Sequence, residues 1–244
     1  MGDLVVPAAR PAIGVKAQQA RGLVKRVLTR LRRAHGRRQW GGRDNAVDEL
    51  VATILSQNTS GGNSSAGYQR LKRRFRTWNS AADAPVEEVE WCIRVCGLSR
   101  VKAPRIQNIL RRIRAERGEI DLEFLAEMDS RAAYEQLVGF EGVGPKTALC
   151  VLLFALGMPV FPVDTHVFRI ARRLGLLPEA ATPERAHEIL TPLIAPADRY
   201  EMHVLLIAHG RSVCRARNPQ CPECLLLPLC PFGKRTDREG RARS

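Results

Sequence analysis

Long apolar runs are missing from this 244-residue chain. The longest, over residues 148–160, is too short to span a bilayer and is broken by Gly157 and Pro159, which excludes a transmembrane segment. No run of alternating apolar and polar residues is long enough for a sheet, which points to an all-α chain. A basic n-region followed by an apolar stretch is absent from residues 1–10, so no secretory signal is expected. Acidic residues are scarce: 25 Asp and Glu face 39 Lys and Arg, for a net charge of +14 and a pI near 10.3. That balance favours a polyanionic partner held through phosphate contacts. Lysine is scarce too. Only 6 of the 39 basic residues are Lys, so part of the excess reflects a coding bias toward arginine. Disorder is excluded by 45% hydrophobic residues, and the length allows one large domain or two small lobes.

Cysteine is present but uneven. Cys214, Cys221, Cys224 and Cys230 follow the spacing C-x6-C-x2-C-x5-C, in a proline-rich stretch too short for a core of its own. Four convergent sulfurs suit a tetrahedral Zn²⁺ or a cubane iron–sulfur cluster. A second close C-x2-C pair, usual in zinc ribbons, is lacking, which favours [4Fe–4S]. A disulfide pair would need an oxidising compartment, and nothing else in the chain suggests one. The remaining Cys92, Cys96 and Cys150 sit in apolar helical surroundings and are read as core packing.

Helical periodicity organises the rest. Residues 1–19 lack it and read as a flexible tail. Leu23, Val24, Val27, Leu28 and Leu31 recur at helical spacing. Asp44 is positioned to cap a helix whose buried stripe is Val47, Leu50, Val51, Ile54 and Leu55, with an interruption at residues 60–63 and a further helix to about Phe75. Helices are expected after Pro85, over 101–116 with Val101 on the buried stripe, after a Ser130 cap, and after Pro145, Asp164 and Thr182, with a last long one over 199–209. That makes ten to twelve.

Two short segments carry chemistry. Gly142-Val143-Gly144-Pro145-Lys146 lies between two helices. Such a turn presents amide N–H groups at a helix start, where an anion is stabilised, although a tight inter-helix turn needs no ligand. Lys146 falls at the second helical position, an unfavourable place for a cation beside the positive end of the dipole. An amine must be unprotonated to attack carbon. Asp164, in Pro162-Val163-Asp164-Thr165-His166, reads as an N-cap.

Taken together, the cysteine spacing, the Gly142–Ala148 hairpin and the Pro162–His166 segment resemble the endonuclease III family of DNA glycosylases and AP lyases, over about 90 residues from Phe140 to Cys230. The resemblance implies a helix–hairpin–helix glycosylase fold, with a six-helix lobe, a [4Fe–4S]-containing helical lobe and a DNA cleft between them. It divides the chain into a flexible tail at 1–20, the six-helix lobe at 40–158, a discontinuous cluster lobe at 21–39 and 159–233, and a basic tail at 234–244. It makes Lys146 the nucleophile at C1′ and Asp164 its electrostatic partner. It makes Cys214, Cys221, Cys224 and Cys230 the ligands of a structural [4Fe–4S] cluster.

Base eversion needs residues that fill the vacated stack. The resemblance assigns this to Gln57 and Asn58 after the second helix, and to Leu98 in a Gly97-Leu98 loop. Arg100, Gly142, Gly144, His166, Arg215 and Arg217 become phosphate or sugar contacts. Three positions depart from the family pattern: Asn58 stands for glutamine, Gly61 for a frequent aspartate, and Glu141 for proline. The implied activity is excision of oxidised pyrimidines from duplex DNA, by an intracellular monomer in the cytoplasm or nucleoid. A weakly active or non-catalytic damage-binding paralogue is the rival of another class. A mismatch adenine glycosylase generally lacks the hairpin lysine and carries an extra domain, and 5-methylcytosine glycosylases are much larger.

Overall fold

A computed structural model of the protein describes residues 17–42 and 45–241. Among them there are twelve α-helices and no strand: α1 Ala17–His35, α2 Ala46–Ser56, α3 Gly61–Arg74, α4 Trp78–Asp83, α5 Val86–Ile93, α6 Ser99–Arg117, α7 Ser130–Val138, α8 Pro145–Cys150, α9 Thr165–Arg173, α10 Pro183–Leu190, α11 Arg199–Ser212 and α12 Pro231–Arg241. None of these helices is long and apolar enough to cross a membrane. The chain divides into two compact units. One is Gly42–Met158; the other joins the residues up to Gly41 to those from Pro159 onward.

The first unit holds α2 to α8. Its core is built on α2, where Val47, Leu50, Val51, Ile54 and Leu55 are all buried, and on Ile106, Ile109, Leu110 and Ile113 of α6. Cys92, Cys96 and Cys150 are buried among these apolar side chains. Gly67 of α3 is required by that packing, because a Cβ there would lie 2.2 Å from Cys96 Sγ.

In the second unit, α1 supplies Val24, Val27, Leu28 and Leu31 to a core shared with Phe161, Val167, Ile170, Met202 and Leu206. Arg32 of α1 fixes α11: Nε donates to Glu201 Oε2 at 3.0 Å and Nη2 to Asp198 Oδ1 at 3.1 Å.

Several boundaries differ from expectation. The described part of α1 starts at Ala17, inside the expected tail, and α12 occupies residues expected as a basic tail. Asp44 lies outside the described residues; α2 is capped by Asn45, whose Oδ1 accepts from Asp48 N at 2.9 Å. The interruption after α2 covers residues 57–60, and α3 begins at Gly61. Asp129 caps α7 in place of Ser130. Val101 is 50% exposed, while Lys102 beside it takes the buried position. Helix α4 was not anticipated; six residues are too few to show a period, and it depends on a Thr77/Ser80 capping box.

Candidate nucleic-acid interface and catalytic residues

The hairpin of the first unit runs from the end of α7 to Pro145. Val143 is buried and its N–H donates to Phe140 O at 3.1 Å, which closes the turn. Gly142 has φ +77°, and a Cβ there would lie about 2.1 Å from the Arg105 side chain, so only glycine fits. Gly144 is different: it is the N-cap of α8 at φ −87°, with open space where a Cβ would go. Glycine's conformational freedom is thus used at Gly142 and not at Gly144. Lys146 follows Pro145, half-buried, and no hydrogen bond or ion pair ties its ammonium among the described residues. The exposed Glu141 brings a carboxylate to the same turn.

Helix α2 ends in the loop 57–60. Gln57 is half-buried and donates from Nε2 to Thr147 Oγ1 at 3.2 Å, fastening this loop to α8. Asn58 is exposed, with a left-handed backbone at φ 54°. The adjacent amides thus divide the work, one anchoring and one projecting. The carboxylate absent at Gly61 is replaced locally: Ser60 Oγ accepts from Asn63 N at 3.2 Å and caps α3. Leu98 precedes α6 with φ 50° and is 55% exposed. Arg100 lies out in solvent, 3.6 Å from Glu90. Asn58 and Leu98 are two of the three non-glycine residues at positive φ among those described; the third, Asn218, lies in the cysteine segment.

In the second unit Asp164 is the N-cap of α9, and its Oδ1 accepts from Val167 N at 2.7 Å. That bond uses one carboxylate oxygen and leaves the other unbonded among the described residues. His166 packs against Gly210, where a Cβ would fall 2.6 Å from its Nδ1. Arg169 Nη2 lies 3.0 Å from the same nitrogen. Burial, ahead of every other influence, lowers the His166 pKa and favours the neutral ring.

Cys214, Cys221, Cys224 and Cys230 line one pocket with Val213, Leu226 and Phe232. Among the described residues, no three His, Cys, Asp or Glu side chains crowd a single point as one bound ion requires. N–H groups point at the sulfurs: Leu226 N at 3.4 Å from Cys224, Gly233 N at 3.3 Å from Cys230, and Arg173 Nη1 at 3.1 Å from Cys214. Burial raises the Cys224 and Cys230 thiols, opposed by those backbone donors. Arg169 and Arg173 hold the segment. Arg169 donates to Cys214 O (Nε, 3.0 Å) and Gly210 O (Nη2, 3.0 Å), and Arg173 Nη1 donates to Arg215 O at 2.8 Å. Arg215 and Arg217 are exposed along this arm. The two holding arginines went unread in the sequence, although their i, i+4 spacing just after the Asp164 motif marks one helix face.

The class of molecule follows from comparison with known proteins. The profile of the HhH-GPD superfamily base excision DNA repair proteins matches residues 51–196. Endonuclease III of Sulfolobus acidocaldarius is 32% identical over 190 residues, 77% of this chain and 82% of that protein. A relative from Arabidopsis thaliana is 39% identical over 168 residues, and the chain spans only 57% of its length. Among solved structures, a non-covalent endonuclease III–DNA complex superimposes with TM-score 0.78 at 29% identity, covering 92% of this chain and 99% of that one. The chain belongs to the HhH-GPD superfamily and, within it, to the endonuclease III family.

Proposed function

We propose that the chain is a bifunctional DNA N-glycosylase and AP lyase acting on oxidised pyrimidines in duplex DNA. The Lys146 nitrogen attacks C1′ of the deoxyribose through its lone pair. The C1′–N bond to the damaged base breaks, and the base leaves with its electron pair and acquires a proton. Loss of the ring oxygen from C1′ gives a Schiff base. Removal of a C2′ proton then expels the 3′ phosphate, and water releases the lysine. Asp164, with one oxygen not engaged in capping, is the carboxylate that stabilises positive charge developing on the sugar, and solvent takes the proton from the attacking amine. The hairpin N–H groups grip a phosphate without reading sequence.

The four cysteines that line one pocket would hold a [4Fe–4S] cubane, to which each would supply a thiolate ligand. An iron centre would draw off the protons that burial otherwise keeps on Cys224 and Cys230. Such a cluster would supply a scaffold for the exposed Arg215 and Arg217 arm.

The untied amine of Lys146 at the second residue of the hairpin helix carries this reading. Borohydride should trap a covalent adduct with an abasic-site duplex, and Lys146→Gln should lose it. An adduct formed by Lys146→Gln at the wild-type rate would transfer the chemistry to another amine. A second reading, a damage-binding protein without catalysis, gains support from Glu141 beside the phosphate-binding turn. Tight damage binding with no trapped adduct would favour it.

A further inference from the structure

Lys102 is the most deeply buried cation described, 2% exposed, on the face of α6 that also buries Ile106 and Ile109. Its Nζ donates to Leu55 O at 2.9 Å, Gln57 O at 2.6 Å and Cys96 O at 3.1 Å. An ammonium has three N–H groups, and all three are used. No carboxylate among the described residues pairs with it. Burial opposes the charge, and a methionine would fill the space without that penalty.

The three carbonyls mark the ends of two helical elements. Leu55 and Gln57 close α2, and Cys96 closes the helical turn before Gly97, places where unpaired carbonyls and the negative end of the dipole favour a cation. Each end leads directly into an exposed residue in the left-handed region: Asn58 after Gln57, and Leu98 two residues after Cys96. Asparagine visits that region readily, whereas a leucine holds it only where its surroundings enforce it.

We propose that Lys102 is a positioning residue that couples these two loops, so that Asn58 and Leu98 enter an opened base pair as one unit. This rests on the glycosylase reading above. The ammonium touches no substrate; it sets the spacing between two side chains that fill the vacated stack.

The test uses the whole protein and duplexes carrying 2-aminopurine beside a paired lesion. Lys102→Met should slow excision from the paired lesion roughly 10- to 100-fold, as expected for three stranded carbonyls, and diminish the fluorescence rise that reports unstacking. Trapping at a preformed abasic site opposite a gap, which needs no eversion, should change less than about threefold. Paired-lesion excision at the wild-type rate in Lys102→Met would overturn the proposal.

Should Lys102→Met not fold, a cycle in the wild-type background decides. Asn58→Gly and Leu98→Gly delete side chains where φ already suits glycine. Coupled loops require the double variant to lose clearly less than the product of the two single losses, and strictly multiplicative losses would overturn the coupling. If the wild-type protein neither excises nor traps, the glycosylase reading fails on its own. The same cycle read by 2-aminopurine fluorescence on binding then still tests the coupling.

Discussion

Two irregular segments of this chain are held by cations reaching back to carbonyls, and they are held differently. In the first unit one buried ammonium gathers carbonyls from two helix ends about forty residues apart. In the second, the guanidinium groups of Arg169 and Arg173 lie along one continuous segment and bond Gly210, Cys214 and Arg215 in turn. A compact ammonium with three rotatable donors suits a meeting point, and a planar fork suits a length of backbone. The difference teaches where redundancy lies. Two arginines share the second task, whereas Lys102 alone joins the two helix ends of the first, Gln57 Nε2 anchoring only one of them to Thr147 Oγ1.

The largest expected effects separate chemistry from scaffold. Lys146→Gln should lower strand nicking at abasic sites by about 10³-fold or more. Its thermal midpoint should stay within a degree or two of wild type, because the ammonium holds no partner. Cys224→Ser should do the reverse: lower iron content, a weaker absorbance near 400 nm and poor folding yield, since metal binding is coupled to folding. Cys92→Ser should keep its iron. A Lys146→Gln protein that melts far below wild type would erase the contrast between the two segments.

Next in size is the arginine clamp. Arg169→Ala should cost about 1–3 kcal/mol in a urea titration, because it leaves the carbonyls of Gly210 and Cys214 short of donors. Arg169→Lys should recover only part, since an ammonium cannot reproduce the fork. Full recovery by lysine would show that charge alone, without geometry, holds the cysteine segment, and the comparison with Lys102 would lose its force.

Much of this was legible in the residues, and the exceptions have physical causes. The cysteine spacing, the hairpin and the Asp164 cap each depend on local chemistry, so they could be read locally. The apolar stripe of α2 was complete in sequence for the same reason. Lys102 was passed over because a basic residue on an apolar stripe reads as solvated surface, and its three acceptors come from other segments. It was nevertheless visible as a lysine at i relative to Ile106 and Ile109, where periodicity demands an apolar side chain. Helix α4 is too short to show a period, and beyond its capping box a tertiary contact supports it: Trp78 Nε1 donates to Asp48 Oδ1 at 2.7 Å, and Lys72 lies over the Trp78 ring. Of the departures from the family pattern, the one at Gly61 leaves α3 with a cap of its own, from Ser60 Oγ to Asn63 N.

A smaller effect should appear with pH in the second unit. Val163 N donates to His187 Nδ1 at 3.2 Å, and desolvation lowers the His187 pKa below its ordinary value. The unfolded chain then binds the proton more readily than the folded one. Stability is therefore fully present above the unfolded value of about 6.5 and declines as pH falls toward the lower folded value. In urea titrations at pH 8 and pH 5, His187→Gln should narrow the difference between the two pH values. An unchanged difference would assign the pH response to other groups.

The smallest effect probes the exposed arm. Arg215 and Arg217 have no ion-pair partner among the described residues, while the Arg215 carbonyl is fixed by Arg173. A cation presented this way can neutralise a phosphate, and each neutralised phosphate contributes about 0.9 to the slope of log K against log salt. Arg215→Ala and Arg217→Ala should each reduce the slope by at most about one, uniformly across sequences, with no loss of thermal stability. Arg173→Ala should lower the slope as well, though it need touch no phosphate, because the arm it holds would lose its shape. If Arg173→Ala left the slope intact while the exposed arginines reduced it, the arm would keep its shape without Arg173, and Arg169 together with the four cysteines would account for the order of this segment.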